Sequence, residues 1–233
     1  MRRVLGVDGC RGGWVGALVS LPDGRSSGGR AVAPRVEWLR LATFAEVLAV
    51  EAEVVGVDMP IGLPASGRRD CDLQAKTLLG RAHPRVFLTP PRGVLVAPTY
   101  VEAGRLHREL TGGLGMSIQT WHLVPKICEV DSSSAVSDDV RLVEVHPELS
   151  FAALVGMPDG EALPSKKTAS GRSARVSVLG GWVPDLAGLP AGDDGLDALA
   201  VAWSARRFLD GGARILTGDP AYDETGRPMR IVT

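Results

Sequence analysis

Short apolar runs closed by glycine- or proline-marked turns alternate along this chain with longer stretches of helical period. Val4 to Asp8 is apolar until its last residue, and Gly9 to Gly13 reads as a tight turn. Trp14 to Ser20 supplies a second strand, Pro22-Asp23-Gly24 a further turn, and Val32 to Leu41 a third strand whose start is blurred by Pro34. The chain is thus expected to open as an antiparallel meander. Thr43 with Glu46 forms a capping box that opens a short helix. Val54 to Met59 is apolar without alternation, the pattern of a buried central strand, and it carries Asp58 near its end.

Helices are expected over Asp70 to Leu79, from Thr99 to a stop at Gly112, and over Ser117 to Val130 with Pro125 dividing or kinking it. Val140 to His146 reads as another buried strand, carrying Glu144, and a short helix follows over Glu148 to Val155. Ser170 to Leu179 and Asp193 to Leu209 are the last helices, and the second is apolar on nearly every face, which marks a buried helix. A terminal hairpin is expected from Arg214 to Leu216 and Met229 to Val232, around the turn Asp223-Glu224-Thr225-Gly226. This order predicts an α/β fold over residues 1–233. A mixed central sheet starts with three antiparallel strands, helices cover both faces, and a helical insertion spans about 64–135.

Composition narrows the functional class. Of 233 residues, 26 are Lys or Arg and 27 Asp or Glu, so the formal net charge is −1, which excludes a generic nucleic-acid coat protein. The average conceals two basic stretches: residues 64–108 hold eight Lys/Arg against three acids, and residues 163–181 hold four with no acid. Cys10, Cys71 and Cys128 are far apart and odd in number, as expected for reduced, mostly buried thiols. No signal-peptide core follows Met1 and no window approaches the roughly 20 apolar residues of a membrane span, so a cytoplasmic protein with no membrane partner is expected.

The acids that close apolar runs carry the chemistry. Asp8, Asp58 and Glu144 sit at strand ends, where strands of one sheet converge on a crevice. Asp194 and Asp197 lie three apart on the first turn of the buried helix. Capping explains one or two of these acids but not an inward-facing Asp197. Clustered carboxylates repel, so either their pKa values rise or a divalent cation neutralises them. Oxygen-only ligands favour Mg²⁺ or Mn²⁺, and two such ions about 3.5–4 Å apart would clamp a phosphodiester. The chain has no P-loop, no GxSxG elbow and no HExxH, and Gly9 to Gly13 does not match the dinucleotide fingerprint.

The stretch GVDGCRGGW from Gly6 to Trp14 resembles the opening motif of the domain of unknown function 429 family, described as predicted ribonuclease H-like nucleases. DMPIGLP from Asp58, the elements between Cys71 and Arg92, PKICEVD from Pro125, VEVHPELSF from Val143, the KK and GR of Lys166 to Arg172, and DDGLDALAVAW from Asp193 extend the likeness over most of the chain. The resemblance implies a ribonuclease H-like fold. The final acidic helix also looks like that of bacterial Holliday-junction resolvases. In those proteins one acid sits on the first strand, one ends a later strand, and a pair lies three apart on the last helix. Asp8, Asp58, Asp194 and Asp197 fit those places as metal ligands, and Glu144 is an extra acid that either joins them or positions substrate with His146.

The leading expectation is therefore a Mg²⁺- or Mn²⁺-dependent nuclease with nucleic acid as its partner. Arg11, His146, Lys166, Lys167 and Arg172 are its candidate substrate contacts. Two rivals keep the fold. One is an actin-like nucleotide-binding ATPase using the glycines of the first hairpin, although such proteins pair two domains of this kind. The other is a non-catalytic metal- or nucleotide-binding module.

Overall fold

Nine-residue strands on either side of the glycine turn build the sheet. β1 (Arg2–Cys10) and β2 (Gly13–Leu21) pair antiparallel, and β3 (Arg35–Leu41) adds to β2. Gly12 and Gly13 take positive φ at the β1–β2 turn, which an L side chain would resist. The computed structural model describes residues 1–22, 32–133 and 139–233; Asp23 and Gly24 of the first expected turn and the far end of the expected insertion lie outside the described residues. β4 (Val54–Val57) and β5 (Leu142–Glu144) extend the sheet in parallel from β1, giving the order β3-β2-β1-β4-β5. Three antiparallel strands followed by two parallel ones is a mixed sheet with the antiparallel start expected from the sequence.

The helices fall where capping and apolar period place them. α1 (Phe44–Ala49) opens with the Thr43 hydroxyl accepting the Glu46 N–H at 3.3 Å. α2 (Asp70–Leu79), α3 (Tyr100–Thr111) and α4 (Ile118–Asp131) lie between β4 and β5. Pro125 lies inside α4 without ending it. α5 (Pro147–Leu154), α6 (Ala169–Trp182) and α7 (Asp194–Leu209) follow β5. β5 is shorter than the expected Val140–His146 strand because Pro147 begins α5, leaving His146 at the helix cap, and because Val140 is exposed. The terminal hairpin, β6 (Ile215–Tyr222) and β7 (Pro228–Val232), is a separate two-stranded sheet that reaches β5 through a Val145–Val232 bridge.

Two cores sandwich the sheet. On one face Val4, Val15, Val54 and Val143 pack on Phe151 of α5, Leu179 of α6 and the apolar side of α7. On the other, Leu5, Val7, Val55 and Val57 pack on Phe44 and Val47 of α1 and on Ile127 and Val130 of α4. All three cysteines are free; Cys71 is buried, and its thiol is pushed up to about 12 chiefly by that burial. Cys10 and Cys128 are half-buried.

α7 sits unusually close to the sheet. A Cβ on Gly6 would lie 2.1 Å from the Ala198 carbonyl oxygen and 2.2 Å from the Ala202 nitrogen, and one on Gly56 would lie 2.8 Å from Val201 Cγ1. Gly6 and Gly56 are register partners in the β1–β4 ladder, so the two glycines cut one continuous groove for the helix. Overpacking at Gly6 would have to move backbone. Gly6→Ala is expected to cost more than about 3 kcal/mol in urea unfolding, whereas Gly9→Ala, whose Cβ would meet nothing nearer than 3.6 Å, should stay within about 1 kcal/mol. Equal costs for the two would contradict the close-packed helix.

Candidate active site

Strand alternation decides which acids meet. Asp8 lies two residues beyond Gly6 on β1, and Asp58 two beyond Gly56 on β4, so both point to the α7 face. The Asp58 N–H donates to the Val7 carbonyl at 3.0 Å, which keeps the two chain ends side by side beyond the last ladder pair. Asp197 enters from above on the first turn of α7. These three carboxylates line one cavity of about 370 Å³. His146, Glu148, Arg85, Phe87, Gln119, Leu123, Lys126, Lys166 and Lys167 complete much of its wall.

Burial and mutual repulsion dominate the electrostatics. Loss of water pushes the Asp8 carboxyl well above its ordinary range, and Asp58 and Asp197 push it further, with Lys166 pulling back. Asp58 is raised in the same way, first by burial and then by Asp197. Asp197, 2% exposed, is raised by burial and held down by Lys166, whose ammonium bonds its Oδ2. The other oxygen of Asp197, Oδ1, is buried with no hydrogen-bond partner. Burial lowers the Lys166 ammonium pKa, but Asp197, Asp8 and Asp58 outweigh that and hold it above the usual lysine value. Burial lowers His146, so the imidazole is neutral near pH 7, and its Nδ1 has no partner.

The loop that carries Lys166 is braced from below. Arg175, fully buried, donates to both oxygens of Glu148 at 2.8 Å and to the Pro164 carbonyl at 2.7 Å. Arg85 donates to Glu148 at 2.9 Å and to the Leu163 carbonyl at 2.8 Å. On the opposite wall, Glu129 of α4 accepts from Trp14 Nε1 at 3.0 Å and from Lys126 at 2.8 Å, which sets the Lys126 ammonium over the Trp14 ring.

Not all of the residues singled out from the sequence come together at this cavity. Glu144 does not join the cluster. Its register partner is Val57, so it faces away from α7, where Arg69 donates to it at 2.6 and 2.7 Å and the Ile61 N–H at 3.0 Å. Arg69 also grips Asp72, forming a fully buried structural triad. Asp194 is half-buried and acts on Asp8 only through its charge, without lining the cavity. Arg172 bonds Asp193 at 2.9 Å and the Gly192 carbonyl, tying α6 to the start of α7 rather than facing the cavity. Arg11 is exposed on the β1–β2 turn, away from the cavity wall. Four arginines of the basic stretches, Arg69, Arg85, Arg92 and Arg175, pair with carboxylates, whereas Arg68, Arg81, Arg105, Arg108 and Lys167 are exposed. His146, Lys166 and Lys167 do line the cavity, with Lys166 turned to Asp197. Arg85, Glu148, Lys126 and Phe87 were not singled out from the sequence. The available signal was Glu148 in the first turn of a helix opened by Pro147.

A family model described as "Protein of unknown function (DUF429)" matches residues 6–222. The chain belongs to the DUF429 family. No curated protein matches the sequence. Among solved structures, this DUF429 chain is similar to the Thermus thermophilus RuvC structure, at 15% identity and a TM-score of 0.40, covering 90% of this chain and 97% of that one. No helix among the described residues is long and apolar enough to cross a membrane.

The raised carboxyls give a stability signature. A folded-state pKa above the unfolded value contributes stability at low pH that is lost as pH rises through the folded pKa. Asp58→Asn should therefore match the metal-free parent near pH 4 and exceed its Tm by several degrees at pH 7–8, each kcal/mol being worth about 2–4 °C at this size. Thermal melts in EDTA across pH check this, and an Asn variant that is less stable at pH 8 would contradict the buried cluster.

Proposed function

We propose that this protein is a divalent-metal-dependent nuclease hydrolysing phosphodiester bonds in the cavity between β1, β4 and α7. The single observation that carries this reading is the meeting of Asp8, Asp58 and Asp197, from three separate elements, around one cavity where burial raises all three carboxyls.

The donor set suits the metal. It is oxygen only, as Mg²⁺ and Mn²⁺ prefer, and the buried Oδ1 of Asp197 lacks a partner. Among the described residues no group of three or more His, Cys, Asp or Glu stands ready to hold a metal ion, and Lys166 engages one oxygen that could serve. Asp8, Asp58 and Asp197 are the residues that would hold the ion. A bound divalent cation would stabilise the charge that develops on a phosphoryl group.

The remaining wall residues do the rest. Lys167 makes no side-chain hydrogen bond or ion pair among the described residues and is exposed at the cavity mouth, where it would take a substrate phosphate oxygen. Phe87, Leu123 and Met59 give the cavity an apolar side on which a base or sugar would rest. The neutral imidazole of His146 would hold or relay a proton as water attacks phosphorus and the P–O bond breaks. The actin-like reading needs a second domain of this kind, and the described residues form one five-stranded sheet.

The test is cleavage of branched DNA, RNA–DNA hybrid and single strands with Mg²⁺ or Mn²⁺. Asp8→Asn, Asp58→Asn and Asp197→Asn should each lose more than about 100-fold, beyond what outer-shell partners of a metal usually cost. Lys167→Ala should raise KM and reduce the salt dependence by about one phosphate contact. Full activity in Asp8→Asn would overturn the reading.

A further inference from the structure

Three carboxylates and one ammonium share the floor of the cavity. Asp8, Asp58 and Asp197 carry three negative charges when ionised, and Lys166 carries one positive charge against Asp197. The other acids nearby are already compensated. Glu148 takes Arg85 and Arg175, Glu144 and Asp72 share Arg69, and the charge of Asp194 is offset by Lys167 at the mouth. Arg85 and Lys126 on the walls are likewise paired, with Glu148 and Glu129. Two negative charges are left over, which is the charge of one divalent cation. A second divalent ion, with Lys166 in place, would leave the buried floor strongly positive and repelling itself.

Lys166 reaches Asp197 with a side chain that is 37% exposed, from a loop whose backbone is held in place. Its loop is fixed by Arg175 and Arg85 through the Pro164 and Leu163 carbonyls, and by the Thr168 hydroxyl donating to the Ser165 carbonyl at 2.8 Å. The start of α6 packs so tightly against the loop that a Cβ on Gly171 would lie 2.1 Å from the Ser165 carbonyl oxygen. The ammonium thus reaches Asp197 Oδ2 from a fixed stretch of backbone, and Oδ1 of the same carboxylate remains buried and unpartnered.

We propose that Lys166 stands in for a second metal ion: the cavity binds one divalent cation, and the ammonium supplies the other positive charge beside Asp197. This rests on the metal-dependent reading above and replaces the two-ion arrangement that the sequence alone implied. Asp197 then serves both cations, Oδ2 toward Lys166 and Oδ1 toward the divalent ion, while Asp8 and Asp58 face only the ion.

Equilibrium dialysis of the full chain against Mn²⁺, with bound metal counted by atomic absorption, tests this without any activity measurement. The unaltered protein should bind one Mn²⁺ per chain at saturation. Lys166→Met should bind two, and Lys166→Arg, which keeps the charge, should stay at one; circular dichroism establishes that each variant is folded. Two Mn²⁺ in the unaltered protein, or one in a folded Lys166→Met, would overturn the stand-in role while leaving the metal site intact. No saturable Mn²⁺ in any of the three would overturn the metal-dependent reading itself. If Lys166→Met does not fold, the counts for the unaltered and Lys166→Arg chains still decide, since two ions in either contradicts the proposal.

Discussion

The close approach of α7 to the sheet is the constraint from which the site follows. Glycines at register-paired positions on β1 and β4 remove the side chains that would hold the helix off. Two residues further along each strand, the same face presents Asp8 and Asp58, and the first turn of the seated helix presents Asp197. Small residues in the strands and Ala198 and Ala202 in the helix thus do more than pack. They fix the height at which one carboxylate meets two others. A larger residue at Gly6 would shift the helix and open the triangle even if the chain still folded.

Burying acids requires compensation, and the chain solves the problem in two ways. Glu144, Glu148 and Asp131 are met by arginines with two or more hydrogen bonds each, and Asp223 by one from Arg92, so their charges are closed within the fold. Asp8, Asp58 and Asp197 have, among the described residues, one direct ion pair, Lys166 on Asp197, with Arg175 acting on Asp197 only through its charge. The contrast separates structural acids from candidate catalytic ones more sharply than exposure does, because Glu144 and Asp197 are both buried. Some of the basic segments' arginines are spent in this way, among them Arg69, Arg85, Arg92 and Arg175.

Much of this was legible in the residues. The capping box at Thr43, the stop at Gly112 and the all-round apolar helix placed the elements within a few residues. Asp8, Asp58 and Asp197 were visible as acids closing apolar runs or facing a core. Glu144 carried the same local signature and misled, because the sign of its strand face depends on the β4–β5 register, which no local pattern specifies. Asp194 misled for a related reason: helical spacing relates it to Asp197, but how the helix is rotated over the sheet decides which one reaches the cavity. Arginines that pair across a hundred residues of chain, such as Arg227 with Asp131, leave no trace in local sequence at all.

The central claim is that Asp8, Asp58 and Asp197 together form a divalent-cation site. Anomalous diffraction from crystals soaked in Mn²⁺ tests it most directly. The account predicts a single strong peak within coordination distance of Asp8, Asp58 and Asp197 Oδ1, with Lys166 still on Asp197 Oδ2. A cavity without a peak at saturating Mn²⁺, or a peak held by other residues, would contradict it.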